Sequence, residues 1–262
     1  LTSDTVHIYN TNSGTFSSSI LLDDLGLIKS ASNIIHWPAI GARSPTNDTV
    51  LVTDGSAVLA MLEPGNTPLY TGDFVIGSGP SVGDMEDAMQ FNGVIYVGSE
   101  SYLDRYSIGQ SRWLSAIDMG DTVSQIVNDG TNVVVATMGS GIHIVDASGN
   151  VIDTWDSSDG LQSDDVSGLD VEGDWVVAIH PQNGATAFNK SAAGSAVTLN
   201  EANSDLDSDN PTGIAIHNGV AYIGTADDGL NRYIIANDTF LGSWVSTGIN
   251  DVNFAPLAIL GT

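Results

Sequence analysis

The stretch GDTVSQIVNDGTNVVVATMGSGIHIVD, residues 120–146, carries the pattern that predicts the fold. It reads as a short apolar strand, an Asp-Gly turn, a stronger apolar strand, a loop of small residues and a third strand. Three other stretches align with it: GDMEDAMQFNGVIYVGSESYLDRYS from Gly83, SDDVSGLDVEGDWVVAIHPQNGATAFN from Ser163 and SDNPTGIAIHNGVAYIGTADDGLNRYI from Ser208. Short strands joined by Gly turns are typical of hairpins. The chain is therefore predicted to be an all-β repeat protein with a unit of roughly 40–45 residues.

Two columns of mostly aromatic side chains support this alignment. The third-strand column holds Tyr106, Val145, Phe188 and Tyr233, and the fourth-strand column holds Trp113, Trp155 and Trp244. Large rings that recur at one place in a repeat suit sheets that bury both faces against their neighbours. We therefore expect these side chains to pack in the core.

The two ends of the chain extend the pattern. HIYNTNSGTF at residues 7–16 resembles a third strand, turn and fourth strand, and VNFAPLAIL at 252–260 resembles a first or second strand. Joined around a circle, the two ends would complete one blade and remove the exposed sheet edges. With a less regular unit at 28–80, this predicts one domain over 1–262, a six-bladed β-propeller closed by its N- and C-terminal strands. Seven blades are the main alternative.

Three segments carry a family resemblance. VSQIVNDGTNVVVATMGSGIHIVD at 123–146, YLDRY at 102–106 and GLNRY at 229–233 resemble the repeat of the two-component-regulator type propellers. The pattern departs at Ile179-His180, where a small Gly-Thr pair is lost, and at Leu103, where a Gly is expected. The acidic, Lys-poor composition is also similar to surface propeller proteins of marine or halophilic archaea. Both resemblances imply a propeller fold.

The charge balance excludes some partners. Among 262 residues there are 32 Asp and Glu but only 6 Lys and Arg, a formal net charge of −26 at pH 7. Such a chain repels nucleic acid and anionic membrane surfaces. Cations, basic proteins and neutral glycans remain as partners, and adaptation to salt water accounts for much of the acidity.

Other features of composition bear on location. The chain has no Cys, and no stretch approaches the roughly 20 apolar residues of a membrane-spanning helix. The sequence begins at Leu1, without an initiator Met and without a basic segment followed by an apolar run. We therefore expect Leu1 to be a mature or excised start, from a longer precursor or a larger chain. With the resemblance to surface proteins, this predicts an extracellular or cell-surface protein without membrane insertion.

The acidic residues are predicted to gather on one face. In a propeller, loops between blades and loops between second and third strands lie on the same side, where a ring of carboxylates would focus a negative potential. His180 belongs to this side, and no Lys or Arg of the four clear repeats does. The acidic members are Asp84, Glu86, Asp87, Glu100, Asp118, Asp121, Asp156, Asp159, Asp164, Asp165, Glu201, Asp205, Asp207, Asp209, Asp227, Asp228 and Asp251.

The segment NSDLDSDN at 203–210 is the sharpest candidate for a metal site. Its oxygen-bearing side chains alternate, and calcium takes six to eight such oxygens. The segment departs from an EF-hand loop, since no Gly stands at the sixth position and no Glu at the twelfth. A solvated turn is the alternative. The predicted calcium ligands are Asn203, Asp205, Asp207 and Asp209.

Three sequons are predicted on the opposite face. They begin at Asn47, Asn189 and Asn237, the last two between third and fourth strands. Glycosylation at these positions is expected if a glycosylating organism secretes the chain.

No catalytic motif stands out. HExxH, Gly-x-Ser-x-Gly, P-loop and Rossmann patterns are all missing from the sequence. A general base, if one existed, would be His180, whose pKa we expect the neighbouring carboxylates to raise. We therefore predict no catalytic residues and no cofactor other than calcium.

These observations predict a non-catalytic extracellular module with an interaction or structural role. Its acidic face suits cations or basic partners, and its partner is a protein, a glycan or another copy of the chain. Two alternatives stay open: a calcium-dependent hydrolase or lyase on a propeller scaffold, and a self-assembling filament or surface-layer subunit.

Overall fold

The computed structural model of the chain describes the strands at 5–9, 16–21, 33–37, 49–53, 59–62 and 70–71. It also describes residues 85–107, 109–110, 112–192, 194–203, 206–225 and 229–244. The chain divides into two compact units, residues 1–118 and 119–262. Apart from two short 3-10 turns at Glu201–Asn203 and Ile235–Asn237, the regular structure among these residues is all β, as predicted.

The described strands of unit 1 form three antiparallel sheets. The first pairs β1 (Thr5–Tyr9) with β2 (Phe16–Leu21). The second has four strands in chain order: β3 (Asn33–Trp37), β4 (Thr49–Thr53), β5 (Leu59–Leu62) and β6 (Tyr70–Thr71). The third has five: β7 (Met85–Phe91), β8 (Val94–Ser99), β9 (Tyr102–Ser107), β10 (Arg112–Trp113) and β11 (Ile117–Asp118), with both β10 and β11 paired to β9.

In the described part of unit 2, the strands form three sheets of four, each in simple up-and-down order. Sheet A has β12 (Val123–Asn128), β13 (Val133–Thr137), β14 (Ile142–Val145) and β15 (Val151–Trp155). Sheet B has β16 (Gly168–Glu172), β17 (Trp175–His180), β18 (Gly184–Asn189) and β19 (Val197–Leu199). Sheet C has β20 (Pro211–His217), β21 (Val220–Thr225), β22 (Gly229–Ile234) and β23 (Thr239–Trp244).

The predicted strand register is confirmed in the aligned repeats. Tyr106, Val145, Phe188 and Tyr233 lie in the third strands of successive sheets, and each pairs with the second strand of its own sheet. Trp113, Trp155 and Trp244 lie in fourth strands. Trp113 contacts Tyr106 edge to face, with ring centroids 5.3 Å apart. The local pattern of turns and alternating apolar residues therefore located these strands correctly.

Sheet B is buried on both faces, which explains its nearly continuous apolar strands. Because successive residues of a strand point to opposite faces, Val176 and Ala178 pack toward sheet A while Val177 and Ile179 pack toward sheet C. The three sheets of unit 2 thus stack face to face in a propeller-like arrangement.

The prediction of a six-bladed propeller closed by both chain ends is wrong. The described strands form separate sheets, of which four have four strands, and no sheet among them joins an N-terminal to a C-terminal strand. β1 pairs with its neighbour β2, whereas residues 252–260 lie outside the described part of the chain. The β1–β2 hairpin agrees with the strand, turn and strand predicted at 7–16; closing its short loop costs less chain entropy than bringing the two ends of the chain together.

Candidate functional site

The acidic residues of unit 2 gather in loops at one end of its sheets. We call the loops at 120–122, 156–167, 200–203 and 206–210 the acidic loop end; each precedes the first strand of a sheet. The loops between second and third strands reach the same end, because Gly141 N–H donates to Asp164 O and Gly184 N–H to Asp209 O, both at 3.0 Å. The acidic members are Asp121, Asp156, Asp159, Asp164, Asp165, Glu201, Asp207 and Asp209.

No positive side chain shares the acidic loop end among the described residues. The four described Lys and Arg residues are Arg105 and Arg232 in third strands, Arg112 in a fourth strand, and Lys190 in the loop after β18. The predicted separation of charge therefore holds for these loops. The predicted loop residues Glu86 and Asp87 lie instead within β7, and Asp118 lies in β11.

Several of these carboxylates organise their own loops. Asp164 Oδ1 accepts a hydrogen bond from Ser157 N–H at 2.6 Å. Asp209 Oδ1 accepts from Glu201 N–H at 2.7 Å, and Glu201 Oε1 accepts from Asp209 N–H at 3.2 Å. The reciprocal pair fixes the ends of the loop that precedes β20. Asp165 and Asp207 are exposed at the surface.

His180 is a structural residue of this end. It is 0 % exposed, with Nδ1 3.0 Å from the backbone oxygen of Asp165 and Nε2 2.9 Å from the hydroxyl of Thr186. Burial lowers its pKa, although the Asp165 carbonyl and the charges of Asp164 and Asp165 act in the opposite direction. The expectation of a raised pKa is wrong, because the cost of burying an imidazolium outweighs its neighbours.

A repeated column explains why His180 is buried. In the neighbouring sheets its place is taken by Thr137 and Thr225, whose hydroxyls donate to Gly141 O at 2.8 Å and Gly229 O at 3.3 Å. His180 fills the same buried position at the end of the second strand and bonds across to Thr186 instead. In the sequence, this exchange of Thr for His180 was signalled by Ile179-His180 standing where the repeat has a Gly-Thr pair.

A second polar column was missed at the sequence level. The third strands carry a polar residue two positions before the Tyr106 column, and its members are Asp104, His143, Thr186 and Asn231. Thr186 Oγ1 accepts from Gln162 N–H and Asn231 Oδ1 from Asp207 N–H, both at 3.2 Å. Thr186 and Asn231 therefore anchor the incoming loops of sheets B and C. The spacing of this polar column, identical to that of the Tyr106 column, could have revealed it.

The predicted calcium ligands are held in local contacts. Asn203 exchanges hydrogen bonds with Asn200 at 3.1 Å in both directions, and Asp209 is paired with Glu201 as described above. Asp205 lies outside the described residues. Among the residues that the structure describes, no group of three or more His, Asp or Glu side chains is arranged to hold a metal ion. Calcium binding at this segment stays a prediction.

Two of the three sequon asparagines are described. Asn189 ends β18, and its Oδ1 accepts from Ser191 N–H at 2.9 Å. Asn237 is exposed at the end of a 3-10 turn that precedes β23. Both lie between third and fourth strands, as expected, whereas Asn47 lies outside the described residues. Glycosylation at all three stays a prediction.

No family model and no curated protein sequence matches the chain. Many solved structures share its fold. The computationally designed Ika8 protein superposes with a TM-score of 0.61 at 14% identity, covering 88% of this chain and 65% of that one. The extracellular domain of the hybrid two component system BT3049 from B. thetaiotaomicron superposes with a TM-score of 0.56 at 16% identity, covering 73% of this chain and 28% of that one.

At these identities the likeness concerns the fold alone. The chain spans about two thirds of the designed protein and little more than a quarter of the extracellular domain. Within the described residues, no helix has the length and apolar character needed to cross a membrane.

Proposed function

We propose that the chain is a non-catalytic extracellular interaction module whose acidic loop end binds a cationic segment of a protein partner. The observation that carries the proposal is the separation of charge in unit 2. Eight carboxylates lie in the loops at one end, while the described Lys and Arg residues lie elsewhere. A surface of one sign attracts an oppositely charged partner and orients it before contact.

The fold supports an extracellular setting. BT3049, which shares the fold over 73% of this chain, contributes an extracellular domain of a hybrid two component system. The repeats at 102–106, 123–146 and 229–233 resemble two-component-regulator type propellers, and we propose membership in that group. An interaction role within a larger surface protein agrees with both resemblances.

A binding role agrees with the state of His180. Both of its ring nitrogens are engaged and the ring is inaccessible to solvent. The side chain proposed as a general base therefore serves packing within sheet B. The carboxylates of the loops, by contrast, reach solvent at Asp165 and Asp207, where a cationic partner can contact them.

The test is calorimetric titration of the intact chain with octalysine and with octaglutamate. We expect octalysine alone to bind, with affinity falling steeply between about 20 and 200 mM salt as screening increases. Asp165→Asn and Asp207→Asn remove charge from exposed positions of the acidic loop end. Asp146→Asn, in the turn between β14 and β15, is the control with the same change of net charge.

Equal losses of affinity in the control and in the two loop variants would contradict the proposal, since binding would then follow net charge alone. Absence of octalysine binding at low salt would also overturn it.

A further inference from the structure

A cleft opens in unit 2 between the outer strand β15 and the loop that joins β18 to β19. Its volume is about 390 Å³. Pockets of 300–1,000 Å³ are typical of sites for small ligands or single side chains with their flanking atoms. The cleft shares Asp159 with the acidic loop end but includes neither Asp165 nor Asp207, the exposed residues by which the proposed function is tested. The inference does not rest on that function.

The floor of the cleft is aromatic. Trp155 from β15 meets Phe188 from β18 edge to face, with ring centroids 4.8 Å apart and planes at 80°. Phe188 and Leu161 are 7 % and 6 % exposed, whereas Trp155 is partly exposed. The rings of Trp155 and Phe188 limit each other's movement. They form a fixed apolar base in which the indole ring of Trp155 is accessible.

The rim of the cleft carries uncompensated negative charge. Asp153 and Asp159 line it and are exposed. Among the described residues that line the cleft, Lys190 is the one cation, but its Nζ lies 2.6 Å from Asp129 Oδ2 and its side chain is 19 % exposed. Because Lys190 is already neutralised by Asp129, two carboxylates remain to face a ligand.

The strand beside the cleft presents apolar surface. Val151 and Ile152 on β15 are 40 % and 56 % exposed, an unusual pair in a chain of this net charge. A peptide lying along β15 would cover both residues while one of its side chains entered the cleft.

We propose that this cleft binds an arginine or lysine side chain of an extended peptide. The cationic head would lie between Asp153 and Asp159, and the aliphatic stem would rest on Trp155. Cations are attracted to the face of an indole ring, and the attraction adds to that of the carboxylates. A neutral sugar would use the aromatic floor and donate hydroxyl hydrogen bonds to the carboxylates, but it would leave their two charges uncompensated.

The experiment follows the indole N–H signal of Trp155 by NMR in unglycosylated protein, so that Asn189 beside the cleft carries no sugar. The probe is N-acetyl-arginine amide, and its neutral isostere N-acetyl-citrulline amide is the matched control. We expect a saturable shift with the arginine probe alone. Asp153→Asn should weaken binding about three- to ten-fold, as expected for loss of one of two partly exposed charges.

Two further variants separate this site from the acidic loop end. Asp207→Asn should leave the titration with the arginine probe unchanged while weakening octalysine binding, whereas Asp153→Asn should weaken the binding of the arginine probe. Trp155→Phe keeps a ring against Phe188 and should fold while binding the probe more weakly; its affinity is measured by calorimetry, because the reporting indole is removed. Binding of citrulline amide or methyl glucoside as tight as that of the arginine probe would overturn the proposed ligand class. Lack of any saturable shift would overturn the site.

Discussion

Gln125 on β12 and Asp170 on β16 both lie on first strands, and each makes the same kind of contact with the next sheet. Gln125 Oε1 accepts a hydrogen bond from Leu169 N–H at 2.8 Å, and Asp170 Oδ2 accepts one from Ile216 N–H at 2.6 Å. Each side chain reaches from the first strand of its sheet to the first strand of the next. Side-chain hydrogen bonds, as well as apolar packing, therefore join the three sheets of unit 2.

Removing the Asp170 contact should destabilise the chain. Asp170→Ala leaves the Ile216 N–H without its acceptor, and an unsatisfied buried donor costs about 1–3 kcal/mol. Asp170→Asn retains an amide oxygen and should lose less. Urea unfolding measures both, with Asp153→Ala as the exposed control. An unchanged free energy of unfolding for Asp170→Ala would show that the contact between sheets carries no stability.

Gly141 and Gly184 should tolerate no side chain. Gly141 immediately precedes β14 with a φ of +74°, and Gly184 begins β18 with a φ of +77°. An added Cβ would lie 2.2 Å from the carbonyl oxygen of Trp155 at Gly141, and 2.2 Å from that of Leu199 at Gly184. We expect alanine at either position to cost about 2–4 kcal/mol, the range of strained backbone and overpacking effects. The measurement is the shift in thermal midpoint of each variant.

Gly173 provides the matched control for these substitutions. It also has a positive φ, +61°, but nothing lies within 4 Å of an added Cβ. Gly173→Ala should therefore cost only the backbone strain of about 1–2 kcal/mol. Equal losses at all three glycines would show that the close approach of the carbonyl oxygens contributes nothing.

The ion pair between Lys190 and Asp129 should contribute stability above acidic pH. Burial acts to raise the pKa of Asp129, but hydrogen bonds from Lys190, Asn132 and Thr131 outweigh it and lower that pKa. A carboxyl with a lowered folded-state pKa stabilises the fold above its unfolded pKa, near 3.8, and loses that contribution as pH falls further.

Lys190→Met should thus destabilise the chain by about 1–3 kcal/mol at neutral pH, because Asp129 is left largely buried without a countercharge. The difference from the wild-type chain should shrink below about pH 4. Urea unfolding at pH 3 and pH 7 measures it, and a difference independent of pH would contradict the assigned role of the charge.

Asp104 should have the opposite pH dependence. It is 1 % exposed, its Oδ1 lacks a hydrogen-bond partner, and burial raises its pKa to about 6, with Ser99 opposing the change. Because the folded state holds the proton more tightly, this group lowers stability as pH rises from about 4 to about 6.

Asp104→Asn should remove that loss. At neutral pH the variant should be more stable than the wild-type chain by about 3 kcal/mol, the energy equivalent of a rise in pKa from 3.8 to about 6. At pH 4 the two should be nearly equal. The measurement is the free energy of unfolding in urea for the intact wild-type and variant chains between about pH 4 and pH 7. If both free energies changed with pH in the same way, the assigned role of Asp104 would be contradicted.

Calcium binding at residues 203–210 predicts a dependence of melting temperature on the metal. A ligand that binds only the folded chain raises stability with its concentration. We expect the thermal midpoint to rise in about 5 mM calcium and fall with a chelator, and Asp207→Asn to reduce the rise by removing one of the oxygen ligands that calcium needs. A thermal midpoint that changes with neither calcium nor chelator would contradict the prediction.

The sequence by itself determined the strands and their register within each aligned sheet. The Tyr106 and Trp113 columns and the turns between the strands depend on neighbours within a few residues, so a period of two and a Gly turn suffice to reveal them. The acidic loop end followed from the same register, because strand order decides which loops share an end. Because the repeats of the chain are alike, their sheets were expected to bury both faces against neighbouring sheets. The sheets of unit 2 stack face to face in this way.

Only the tertiary structure decided the contacts between sheets and their consequences. The partnership of Lys190 with Asp129, the burial that lowers the pKa of His180, and the cleft over Trp155 and Phe188 each join residues distant in the chain. Such contacts depend on how packed faces meet and which polar groups they exclude from water, and these leave no periodic trace in a single sequence.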